Sequence, residues 1–165
     1  MNLDACYSKN SDEWSTPGWL FEMLDQEFHF EVDAAAIETN NKCGPENYFI
    51  NALEEDDWKI CGHNTFWLNP PYSKIGAFMK KAYEESLKGA VVVCLIPSRT
   101  DTKYWHEYVM KSAEIRFIKG RLKFGDGKGS APFPSCIIIF SKKEPEAIND
   151  YPVIGRTIEQ PKTKS

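Results

Sequence analysis

The stretch Asn64-Thr65-Phe66-Trp67-Leu68-Asn69-Pro70-Pro71-Tyr72 decides how the chain is read. Its first five residues form a short apolar run that reads as a buried strand. Pro70 donates no ladder hydrogen bond, so the strand stops there. Two adjacent prolines then hold the backbone in a fixed extended turn. The Pro70 carbonyl has no neighbouring N–H to pair it, because Pro71 follows. The Asn69 side-chain oxygen is a second acceptor nearby, and Tyr72 adds a flat, amphipathic ring. Two acceptors and a stacking face suit a planar ring that carries an exocyclic NH2 group. For an Asn-Pro pair alone, a stiffened turn is the better reading. For the quartet behind an apolar strand, the binding reading is preferred.

The chemistry of such a ring needs such a site. The exocyclic nitrogen of adenine is a poor nucleophile, because its lone pair is delocalised into the ring. Two acceptors on its hydrogens draw the nitrogen toward tetrahedral geometry and stabilise the positive charge that develops as it attacks a methyl carbon. A sulfonium methyl donor is already activated, so the reaction requires neither a metal nor a covalent enzyme intermediate.

Outward from the quartet, the chain alternates. Upstream, Thr16 reads as a helix N-cap and Pro17 as the first helical position. Leu20, Leu24 and Phe28 follow at helical spacing. Phe30, Val32 and Ala34 alternate with polar residues and predict a strand ending near Asp33. Residues 37–62 are irregular, with a short strand at Tyr48-Phe49-Ile50 and an acidic run before Trp58. Downstream, Ser73 caps a helix whose apolar face is Ile75, Phe78, Met79, Ala82 and Tyr83, and Gly89 ends it. Residues 90–96 make a continuous apolar strand stopped by Pro97. Asp101 caps another helix, with Trp105, Tyr108 and Val109 inward. Residues 115–118 form a strand that 121–124 extend past Gly120. Residues 125–134 are a Gly- and Pro-rich loop, and 136–140 are the last strand. Residues 1–13 read as loose, 14–141 as one domain and 142–165 as a polar tail.

Strand, helix, strand, helix, strand implies a mostly parallel α/β sheet with helices on both faces. The last two strands have only a loop between them and should pair antiparallel. Ligands in such sheets bind outside the carboxyl ends of the strands. Asp33, Asn69 and Pro97 share that edge.

Composition is compatible with this. The chain has 165 residues, 42% hydrophobic and 13% aromatic, enough for one domain with a core. No apolar run spans a membrane, and residues 1–4 lack a signal-peptide pattern. Five scattered cysteines without a CxxC pair point to reduced thiols in a cytoplasm. Three separated histidines offer no zinc set. The net charge of −4 does not advertise nucleic-acid binding, yet Arg116, Lys119, Arg121, Lys123 and Lys128 fall in one stretch. That strip fits weak DNA binding and equally an ordinary solvated strand edge.

Six stretches together resemble the phage-type DNA N6-adenine methyltransferases, a Dam-like family. They are Trp14-Ser15-Thr16-Pro17, Val32-Asp33-Ala34-Ala35-Ala36, Asn69-Pro70-Pro71-Tyr72, Pro97-Ser98-Arg99-Thr100-Asp101-Thr102, Arg116-Phe117-Ile118-Lys119-Gly120-Arg121-Leu122-Lys123-Phe124 and Ser130-Ala131-Pro132-Phe133-Pro134-Ser135. The quartet alone also occurs in RNA and protein-glutamine methyltransferases; the ordered set is more specific. The resemblance implies a compact Rossmann-like methyltransferase fold, S-adenosyl-L-methionine as donor and a DNA adenine as acceptor, with the reaction in a bacterial or phage-infected cytoplasm. It implies no metal, membrane or obligate protein partner. Asn69, Pro70, Pro71 and Tyr72 would be catalytic. Trp14, Thr16, Pro17, Asp33 and Ala34 would hold the donor, Thr16 and Pro17 at its methionine end and Asp33 at its amino group. Asp33 as a mere helix cap is the competing reading.

Two departures stand out. Ala34-Ala35-Ala36 replaces the usual glycine-rich donor loop. Residues 37–64 are also too few for two full crossover units of ~30 residues each. The second and third strands are therefore expected to be abbreviated, and the acid for the ribose hydroxyls is hard to place. Asp57 is one candidate and Asn40 another. For DNA, Arg121 and Lys123 alternate with Leu122 and Phe124. Arg121 and Lys123 contact phosphates or simply face solvent. Phe124 stacks on an extruded adenine opposite Tyr72 or belongs to the core. Arg99 serves a phosphate or braces its loop. A non-catalytic donor- or DNA-binding module and an RNA-adenine methyltransferase are the alternative functions.

Overall fold

The structure is a computed structural model that describes residues 14–36, 41–44, 49, 51–60, 62–124, 129–142 and 151–162. Three helices and six strands are described: α1 (Gly18–Phe28), β1 (Val32–Asp33), β2 (Thr65–Leu68), α2 (Ile75–Leu87), β3 (Val91–Pro97), α3 (Lys103–Glu107), β4 (Glu114–Phe117), β5 (Ser135–Phe140) and β6 (Val153–Ile154). They build one sheet in the order β1-β2-β3-β5-β4-β6. β1, β2 and β3 run parallel, and α2 makes the crossover from β2 to β3. β5 is antiparallel to both β3 and β4, so the expected final hairpin is present and its second strand lies inside the sheet.

Continuous apolar runs become strands covered on both faces. Phe66 and Leu68 of β2 join Val92, Cys94 and Ile96 of β3 under Phe78, Met79 and Ala82 of α2. Trp67, Val93 and Leu95 point the other way, against Leu20 and Leu24 of α1. The predicted face of α1 is the one buried. Each fully buried leucine there contributes roughly 1.5–3 kcal/mol. Gly89, at φ 97°, closes α2 in the left-handed conformation that glycine adopts without a Cβ penalty.

Several local expectations are corrected. α1 starts at Gly18 with Pro17 in the cap position, and no side chain caps it. Ser73 lies in a 3-10 turn, Tyr72–Lys74, that leads into α2, and the position before that helix is Lys74. Thr102, not Asp101, precedes α3. Lys123 makes a single bridge to Ser130 instead of continuing a strand. No strand is described between β1 and β2, and of Tyr48-Phe49-Ile50 only Phe49 is described; its ring packs on Trp58 and Phe66.

The polar tail is partly sheet. β6 pairs in parallel with β4 at the edge, Ile158 is buried, and the Gln160 side-chain amide donates to the Lys119 and Arg121 carbonyls. A Cβ on Gly155 would press on the end of the Glu114 side chain, which would have to shift. The sequence pattern missed it because a two-residue edge strand has no measurable period.

Candidate active site

Parallel pairing puts the ends of β1 and β2 side by side. Asp33 is the register partner of Trp67, and the Ala34 N–H donates to the Trp67 carbonyl at 2.8 Å. Asn69 therefore leaves the sheet at the edge where Asp33 ends. β3 reaches the same edge at Pro97, whose neighbour Ser98 donates through its N–H to the Pro134 carbonyl at 2.9 Å. The sheet thus brings Asp33, the quartet and Pro97 to one edge, as the order of strand ends predicted, and adds Arg99 and residues 130–135 beside Pro97.

Asn69 is held from upstream. Its Nδ2 donates to the Trp14 carbonyl at 2.5 Å and to the Thr16 hydroxyl at 3.0 Å. A main-chain carbonyl can only accept, so this contact determines which end of the amide is nitrogen. Oδ1 is the opposite end. The Thr16 hydroxyl does not cap α1 because it serves Asn69. In the turn itself, Pro71 offers its carbonyl to the Lys74 N–H at 3.0 Å, whereas no described backbone N–H donates to the Pro70 carbonyl. Among the described residues no donor reaches either acceptor expected of the quartet, Asn69 Oδ1 or the Pro70 carbonyl.

Asp33 is 4% exposed. Its carboxylate accepts from the Lys42 N–H at 3.1 Å. Burial nevertheless raises its pKa to about 6; main-chain donors at Lys42 and Ala35 and the Lys42 charge offset this only in part. The carboxylate is buried with too few positive partners. Ala34 and Ala36 beside it are buried and small. Burial, aided by the nearby charges of Asp33 and Asp25, pushes the Cys43 thiol up to about 12. An ammonium group placed at Asp33 would relieve the desolvation.

Of the two readings of Phe124, the packing favours the core. Phe124 is 7% exposed and its ring meets Trp14 edge-on at 5.0 Å. Phe133, which the sequence reading left unassigned, packs edge-on against both Trp14 at 5.5 Å and Tyr72 at 5.4 Å. Phe124 is therefore a core residue behind Phe133. Only the Pro-Phe-Pro setting of Phe133 in a short loop marked it in the sequence. The Tyr72 hydroxyl is buried without a described partner, and burial pushes its ionisation upward.

The remaining candidates divide. Arg99 is exposed on the active edge, and its charge reaches Tyr72. Arg121 and Lys123 are exposed and Leu122 and Phe124 buried, so the alternation holds. Arg116 does not belong to a basic surface. It is 6% exposed, bonded through both terminal nitrogens to Glu27 at 2.6 Å and through Nε to Glu114 at 2.6 Å. It ties α1 to β4. Lys119 pairs with Glu159 at 3.3 Å. Asp57 accepts from the Lys59 N–H and lies near Lys88, just past the far end of α2. The quartet leads into the start of α2, a helix ~20 Å long at 1.5 Å per residue, and Asp57 sits by its other end, so Asp57 is not brought to the quartet. Asn40 lies outside the described residues.

No helix among the described residues is long and apolar enough to cross a membrane. The family model for DNA N-6-adenine-methyltransferase (Dam) matches residues 5–156. The DNA N-6-adenine-methyltransferase of Haemophilus phage HP1 is 31% identical over 160 residues, 88% of this chain and 87% of that protein. The enzyme of the same name from Escherichia phage T1 is 34% identical over 116 residues, 67% of this chain and 46% of that protein. With the quartet, the Asp33 edge and the match over most of its length all in agreement, the chain belongs to the DNA N-6-adenine-methyltransferase (Dam) family.

Proposed function

We propose that the chain transfers a methyl group from S-adenosyl-L-methionine to N6 of adenine in DNA, on a Rossmann-like methyltransferase fold carried by residues 14–141 with residues 151–162 added at its sheet edge. One observation bears most of the weight. The Asn69 amide is bonded through its nitrogen to Trp14 and Thr16, which leaves its oxygen and the Pro70 carbonyl as paired acceptors on the edge that holds Asp33. The phage sources of the relatives support a bacterial or phage-infected cytoplasm as the setting.

Asp33 and the Ala34 backbone hold the donor's methionine end, with Trp14 and Pro17 alongside and the Thr16 hydroxyl taken by Asn69. When bound, the donor supplies a methyl group already activated on a cationic sulfur. Asn69 Oδ1 and the Pro70 carbonyl accept the two amino hydrogens of an extruded adenine. They stabilise the charge that grows on nitrogen as it attacks. Pro71 keeps the turn rigid, and Tyr72 offers a face to the base with Phe133 at its edge and Phe124 behind. A base has to leave the duplex to reach this turn. Arg99, Arg121 and Lys123 meet phosphates and position the strand without reading its sequence.

Incubation with tritiated donor and DNA, RNA or protein tests the reading. Label should appear as N6-methyladenine in DNA. Asn69→Ala should lower turnover about a hundredfold, ~3 kcal/mol, with donor affinity within a few-fold. Near-normal turnover in that variant would remove the quartet from the chemistry.

A further inference from the structure

We infer that the Trp14 carbonyl and the Thr16 hydroxyl form an orienting clamp for the Asn69 amide, so that Thr16 is a positioning residue and position 69 requires an amide rather than a carboxylate. This rests on the reading of Asn69 as the acceptor for the adenine amino group. Both partners approach the same atom, Nδ2, at 2.5 and 3.0 Å. Both come from the four residues that precede α1, 53 and 55 positions upstream. Thr16 is 5% exposed and Trp14 packs on Phe124 and Phe133, so neither partner is free to drift.

The consequence is chemical. An asparagine side chain has one donating and one accepting end, and exchange of the two is a rotation about a single bond. If the nitrogen faced the adenine amino group, two donors would oppose each other and the catalytic acceptor would be lost. The Trp14 carbonyl removes that state, because an oxygen facing it at 2.5 Å would place two acceptors in contact. Thr16 takes the second hydrogen and holds the amide plane. An aspartate at position 69 keeps the acceptor but faces the Trp14 carbonyl with an oxygen that has no proton to give. It is then turned away from the productive geometry, although it is nearly the same shape. The clamp also gives the residues before α1 a role in the methyl-transfer step that is separate from donor contact.

Four variants test this by steady-state kinetics with saturating donor and DNA. Thr16→Val keeps the shape of threonine and removes the acceptor. It should lower kcat about tenfold with KM for S-adenosylmethionine changed less than about twofold. Thr16→Ser, which restores the hydroxyl, should recover most of the rate. Thr16→Val added to Asn69→Ala should cost nothing further, because no amide is left to orient. Asn69→Asp should lose at least tenfold. The clamp is overturned if Thr16→Val raises KM for the donor with kcat unchanged, since the hydroxyl would then serve the donor. It is also overturned if Thr16→Ser fails to rescue, if the two changes multiply, or if Asn69→Asp works at the native rate. These results are distinct from failure of the quartet itself, which would show as an active Asn69→Ala.

Discussion

Asp33 and Glu85 are both buried carboxylates, at opposite ends of the same α/β layer. Glu85, near the end of α2, is fully buried and meets three donors: Lys81 at 2.8 Å, Lys88 at 2.9 Å and the Trp58 N–H at 3.1 Å. It fastens the segment before β2 to the helix after it. Asp33 is as deeply placed, yet its donors are main-chain N–H groups and its pKa is raised to about 6 by burial. A carboxylate with enough cations around it completes a fold. One with too few is costly to the fold and is free to take a cation from outside. The cations repeat the contrast. Arg116 is buried between Glu27 and Glu114, whereas Arg121 and Lys123 lie in solvent.

Glu85→Ala should give the largest effect. It leaves two lysines and a buried N–H without their acceptor, a loss of about 3–5 kcal/mol. Thermal unfolding should drop by roughly 10 °C, with normal turnover per folded molecule. A variant of native stability that cannot methylate DNA would erase the distinction between the two carboxylates.

Asp33→Asn should move stability the other way. The folded pKa lies above the unfolded value, so the protonated form favours folding. That contribution is complete below the unfolded value of 3.8 and is lost as pH rises through about 6. The variant should therefore match the native protein at pH 4 and exceed its stability by about 1–3 kcal/mol at pH 7. Calorimetry should show weaker donor binding in the variant. Native donor affinity should fall as pH drops through about 6, and the variant should lack this dependence. Unchanged donor affinity at pH 7.5 would move the amino group away from Asp33.

Arg121→Gln with Lys123→Gln should have the smallest effect. Binding should weaken alike for every DNA sequence, and the logarithmic salt slope should fall by ~0.9 for each phosphate contact removed. An unchanged slope would class both with the ordinary solvated surface.

The legible part of the site was local. Asn69-Pro70-Pro71-Tyr72 could be read as two acceptors and a ring because the prolines determine the backbone whatever surrounds them. Asp33 was placed at a strand end by the alternation of Phe30, Val32 and Ala34, while its role came only from the resemblance. Asp57 failed because charge and neighbourhood in sequence do not reveal which end of a helix a residue approaches. Phe124 and Phe133 could not be told apart, since alternation marks a buried ring but not the ring that lies in front.

By itself the sequence determined the elements and the chemistry: apolar runs of strand length, an amphipathic α1 and α2, a proline-locked turn, and a set of stretches that identifies the family. Those are short-range properties, set by steric limits and by the period at which apolar groups recur. The tertiary structure decided what depends on pairing across the chain. It inserted β5 between β3 and β4, recruited residues 151–162 to the sheet edge, and withdrew Arg116 into an ion pair. It also spent the Thr16 hydroxyl on Asn69 instead of on a helix cap. A hydroxyl or a guanidinium satisfies whichever partner folding brings within 3 Å, and no local pattern encodes a partner more than 50 residues away.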